Sequence, residues 1–103
     1  MADYFDWGGA RITEEAWATI RAEGNRLCRT VVGPAAVSTV WLGYHPGIPS
    51  DPPLIFETMI FGGDYDCREW AHATRREAEE NHLRIVQALL AGRDPDEEKA
   101  AAL

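Results

Sequence analysis

Two stretches of this chain repeat apolar residues at helical spacing, and the segment between them alternates or runs apolar residues as strands do. Thr13 followed by Glu14 and Glu15 reads as an N-cap with acids in the first turn, where oxygen atoms and negative charge satisfy the free amides. Ile12 and Trp17 flank that cap at the spacing of a hydrophobic staple. Trp17, Ile20, Gly24 and Leu27 continue a helical stripe, with Gly24 marking the end. From Thr30 the residues become β-branched. Thr30 to Val32, the turn Gly33-Pro34 and Val37 to Tyr44 predict a hairpin. In its second arm Val37, Thr39 and Trp41 share one face and Val40, Leu42 and Tyr44 the other. Apolar groups on both faces predict a central strand.

His45 to Pro53 holds four prolines and must be a loop, since proline fits neither a helix interior nor a sheet ladder. Leu54 to Phe61 predicts the strongest strand, ending at the turn Gly62-Gly63-Asp64, and Arg68 to Ala73 predicts a short return strand. Thr74 and Glu77 spell a capping box. A second helix follows, with Ala78, Ile85, Val86, Leu89 and Leu90 as its stripe and Gly92 and Pro95 as its stop. The expected fold is therefore α+β: a four-stranded antiparallel β-meander with an N-terminal and a C-terminal helix packed on the sheet. Residues 1–93 form one domain in this reading, and residues 94–103 a charged, disordered tail.

With 46% hydrophobic residues in 103, the chain is large enough for one core and too small for two. Its net charge of −7 argues against direct binding of nucleic acid, whose phosphates attract basic proteins, and suits a partner with a basic surface. No apolar run reaches membrane-spanning length and the start is acidic and aromatic, which points to no membrane association and to the cytoplasm. Cys28 and Cys67 form no CxxC pair and read as free thiols, with Arg29 and Arg68 beside them as weak activators.

Glu57 shares a strand face with Ile55, Met59 and Phe61. Either that face is solvated, or Glu57 is an ionised group in an apolar setting and needs a partner. His82 falls on the second helix's stripe and should face the sheet, where it either meets Glu57 or stands as a satisfied core histidine. His45, His72, Glu57 and Cys67 lack the spacing of metal ligands, and no serine, cysteine or glycine motif of a catalytic or phosphate-binding kind is present. The sequence therefore predicts no metal, no cofactor and no catalytic residue, that is, no enzyme. Aromatics are the better signal. Tyr4, Phe5, Trp7, Trp41, Tyr44 and Trp70 exceed what a small core needs; either such residues anchor an interface or stack on a planar ligand, or Trp17 and Trp41 are core and Tyr4 to Trp7 only tuck the N-terminus down. If they form an interface, a homodimer is the simplest assembly, and it would cover an exposed sheet edge.

The run from Val37 to Gly43, then His45, Gly47 and Pro52 to Gly63, resembles a group of small proteins encoded by bacteriophages and prophages, especially of actinobacteria. Tyr4 to Asp6, Ile12, Trp17, Glu77, Ala78 and His82 are similar too, so the resemblance spans about residues 4–90. It implies a phage-encoded inhibitor of a host defence protein, of anti-CRISPR type among others, at work in the host cell cytoplasm. Such a protein would act through an acidic, aromatic surface drawn from Trp41, Tyr44, His45, Glu57, Trp70 and His82. The alternative is a sponge that holds a nucleotide signal or other small molecule in a pocket of Trp41, Tyr44, His45, Glu57 and His82, with Arg75, Arg76 or Arg84 on its phosphates. A hydrolase or lyase using Glu57 and His82 as acid and base comes third.

Overall fold

The computed structural model describes residues 3–47 and 49–96. Its first element is a hairpin too short for any alternation to announce it, β1 (Tyr4–Phe5) with β2 (Arg11–Ile12). One side chain shapes its turn: Asp6 Oδ1 accepts the amides of Gly8 and Ala10 at 3.0 and 2.9 Å. Helix α1 (Glu14–Glu23) follows, capped where expected, with Thr13 Oγ1 accepting the Ala16 amide. It stops at Gly24, whose φ of +121° no helix accommodates, so Leu27 belongs to the sheet and not to the helical stripe.

The sheet is the expected meander, β3 (Arg26–Val32), β4 (Ala35–Trp41), β5 (Phe56–Phe61) and β6 (Glu69–His72), antiparallel and in sequence order. β3 begins four residues earlier than Thr30 because a bulge between Arg26 and Cys28 absorbs one extra residue, which hides the alternation there. β4 is central, and its alternate residues Ala35, Val37, Thr39 and Trp41 are all buried. Helix α2 (Arg75–Leu90) lies across all four strands on that side. Its cap differs from a full capping box. Thr74 Oγ1 accepts the Glu77 amide and donates to the Glu77 carboxylate, so the glutamate closes on the hydroxyl.

Beneath α2 the core falls into two clusters. Ala35, Val37, Ile60, Ile85 and Val86 form one, with Trp70 and Leu89 against it; Trp41, Ile55, Phe56 and Ala78 form the other, with Trp7, Trp17, Ile20 and Leu27 against it. Helix α1 thus packs at the end of the sheet through Trp17 and Ile20, and none of its residues is fully buried. The α2 stripe runs through Ala88, and Leu90, placed on that stripe by spacing, is exposed. Asp94 to Asp96 do not belong to a loose tail. Pro95 is fully buried, its carbonyl accepts Arg84 Nη1 at 2.6 Å, Arg68 bridges Asp94 and Asp96, and Trp70 Nε1–H donates to Asp96. The rest of the predicted tail, 97–103, lies outside the described residues. Among the described residues no helix is long and apolar enough to cross a membrane.

Candidate binding surfaces

Between the two core clusters runs a polar seam. His82 enters from α2, its Nδ1 2.8 Å from Thr39 Oγ1 and its Nε2 3.0 Å from Thr30 Oγ1. Thr39 Oγ1 in turn lies 2.6 Å from Thr58 Oγ1 across the β4–β5 ladder. Each ring nitrogen has a hydroxyl, which suits a neutral imidazole that donates from one and accepts at the other. Burial lowers the His82 pKa, since no carboxylate is there to hold the charged form. His82 is therefore a satisfied core histidine, and the pairing with Glu57 does not exist.

Glu57 stands on the opposite side of the sheet. Phe56, Thr58 and Ile60 face α2, so Glu57, Met59 and Phe61 face away, with Ala36, Ser38 and Val40 from β4. Both helices pack on the other side, and every described strand residue on this face is at least partly exposed. Half-burial among these neighbours raises the Glu57 pKa first, and the nearby Glu69 carboxylate adds to it. The folded chain thus holds the charged form at a disadvantage relative to the unfolded chain, and protonation relieves it: stability contributed by this group rises as pH falls through its raised folded pKa. Glu57→Gln should accordingly raise the urea midpoint at pH 7, and the gap to wild type should close as the pH is lowered into the carboxylate range.

The other predicted residues are spread over the molecule. Trp41 is core: fully buried, stacked on Trp7 with centroids 5.9 Å apart, its Nε1–H without an acceptor among the described residues. Trp70 is half-buried on the α2 side of β6. Tyr44 and His45 alone come together, at the base of the proline loop, where they line a cleft of about 290 Å³ with Asp3, Phe5, Ser50 and Pro53. The sponge pocket of Trp41, Tyr44, His45, Glu57 and His82 is not assembled: two of its members are core, one is on the open face and two are in the loop cleft.

The sequence reading missed an aromatic ladder at this end, because it depends on the β1–β2 hairpin. Tyr4 lies 4.8 Å from Trp17, and Trp17 meets Tyr44 edge-on at 6.2 Å, with the Arg21 guanidinium over the Trp17 ring. Trp17 Nε1–H donates to Leu42 O, and the Phe5 amide to Gly43 O, so hairpin, helix and loop base are tied at one point. The exposed face of α1 adds Glu14, Glu15 and Glu23, none of them in an ion pair among the described residues.

Neither thiol is activated. Burial and then Glu79 raise the Cys28 pKa, and Cys67, whose thiol points at the Asp66 carboxylate, is raised as well. Among the described residues no three histidine, cysteine, aspartate or glutamate side chains converge as metal ligands do. The fold and its surfaces define a small α+β protein with one half-covered sheet. No family model, no curated protein and no solved structure matches it.

Proposed function

We propose that this chain is a non-catalytic, phage-encoded binding protein that inhibits a host defence protein, RNA-guided nucleases among the targets, by occupying a basic surface on it. The observation that carries the reading is the α1 end of the molecule. Glu14, Glu15 and Glu23, in no ion pair among the described residues, stand on the same short helix as Trp17, the centre of the half-buried ladder Tyr4, Trp17 and Tyr44. Half-buried aromatics are cheap in conformational entropy as anchors, and unpaired acids steer a basic partner and set its register. The net charge of −7 and the resemblance to phage proteins support the same reading.

The test is protection of a sensitive phage on hosts carrying defined defence systems, followed by direct binding to the purified effector. Glu15→Lys combined with Glu23→Lys leaves the fold intact, since the loss at the helix N-terminus is offset by the gain at its C-terminus. This pair should weaken effector binding by about tenfold or more, mostly through the association rate. Absence of protection in every system, or equal activity of wild type and variant, would remove the reading. Sequestration of a small molecule keeps one support, the Tyr44–His45 cleft, which is small for a ligand site.

A further inference from the structure

The open side of the sheet has an ordered chemistry that the fold itself does not use. Strand register sets its residues in rows. Arg29, Ser38, Met59 and Glu69 are successive partners across β3, β4, β5 and β6, and Val31, Ala36 and Phe61 form the next row. Val31 and Phe61 are 60% and 53% exposed, although both are large and apolar. At one edge stands Arg29, in no ion pair among the described residues. At the other, Glu69 and Glu57 sit as diagonal neighbours of like charge.

We propose that this face is the interface of a two-fold dimer in which the sheets of two copies pack face to face with β3 of each over β6 of the other. A two-fold axis parallel to the strands reverses the strand order and preserves the level along them. Each Arg29 then lies over the partner copy's acidic edge, directly above Glu69 and diagonal to Glu57. The contact occurs twice, as self-complementary symmetry requires. Sheets packed this way sit about 10 Å apart, a gap that an arginine and a glutamate reaching from opposite sides can close. In the next row Phe61 of each copy lies over Ala36 of the other, large against small, and Met59 lies over Ser38. The alternative axis, across the strands, sets β3 on β3 and Arg29 near Arg29, so charge selects the first. The dimer buries Val31, Met59 and Phe61, relieves the like-charge pair, and leaves α1 and α2 outermost on both sides. The proposal is independent of the function assigned to the α1 end.

Sedimentation velocity on the full chain tests it. Wild type should sediment at twice the mass of the 11.5 kDa chain at micromolar concentration. Arg29→Glu alone, or Glu69→Arg alone, places two like-charged contacts in the interface and should weaken the dimer about 100-fold. In an equimolar mixture the mixed dimer has one contact in its native form and the other with its charges exchanged, both attractive, and should return to dimer mass. Both substitutions are on the surface, and far-UV circular dichroism confirms that each variant is folded. A monomeric wild type, single variants that remain dimeric, or folded variants that do not reassociate on mixing would each overturn the proposal.

Discussion

Gly43→Ala should lower stability by about 2–5 kcal/mol through overpacking and backbone strain together. A β-carbon at position 43 would lie 2.5 Å from Trp17 Cδ1 and 2.5 Å from Trp41 Cζ2, far inside contact distance. Neither ring can retreat. Trp17 is held by its hydrogen bond to Leu42 O, and Trp41 is fully buried under Trp7. The backbone adds its own cost, since Gly43 has a φ of +76°, where an L side chain is strained. Gly92→Ala separates the two contributions. Gly92 has a φ of +70° but open space around it, so alanine there carries the backbone cost alone, about 1–2 kcal/mol. Urea denaturation of both variants reads the difference. For a domain whose whole stability is about 5–15 kcal/mol, the Gly43 change takes a large share. Near-UV circular dichroism should lose tryptophan signal in Gly43→Ala and keep it in Gly92→Ala. Equal midpoints for the two variants would mean that the tryptophans are not locked.

The same glycine marks where reading from sequence stops. Caps, turns and strand alternation depend on neighbours along the chain, so Thr13, Thr74, the Gly33-Pro34 turn and the central position of β4 were legible. The His82 ring was also correctly aimed at the sheet, because helical phase places it between Ala78 and Ile85. What lay across from it was not legible. Period-two alternation assigns Glu57 to one of two faces, but the helix chooses which face it covers by the summed apolar area of all four strands. Phe56, Ile60, Val37 and Trp41 together outweigh Met59, Phe61, Val31 and Val40. Trp70 and Trp41 point into the covered side for the same reason, and aromatic residues expected to serve a surface are instead core or core margin. The β1–β2 hairpin, the bulge in β3 and the docking of Asp94 to Asp96 rest on polar contacts between distant segments or on a local register shift, and these leave no periodic trace.

The polar seam supplies the second large expected effect, a stability that falls in mild acid through one residue. Buried His82 is neutral and its folded pKa lies below the ordinary histidine value. The unfolded chain, with a histidine near pKa 6.5, takes up a proton that the folded chain resists. Stability from this group is therefore fully present above about pH 7 and is lost as pH falls below about 6.5 toward the folded pKa, with a slope approaching about 1.4 kcal/mol per pH unit. His82→Leu should abolish that slope. At pH 7 it should also cost about 1–3 kcal/mol, because it strips Thr30 and Thr39 of a partner inside the fold. The two curves, obtained by urea denaturation between pH 5 and 8, should converge in acid, and His45 and His72 cancel in the comparison because both proteins carry them. Replacing Thr39 and Thr58 by valine as well removes two of the three seam hydroxyls, leaving Thr30, and this triple variant should recover part of the loss, since unpaired buried groups cost more than absent ones. Recovery would show that the seam's main role is specificity: four polar groups that satisfy one another only when α2 and the β4–β5 ladder are in this one register. A slope that survives in His82→Leu would show that the acid sensitivity does not arise from this residue.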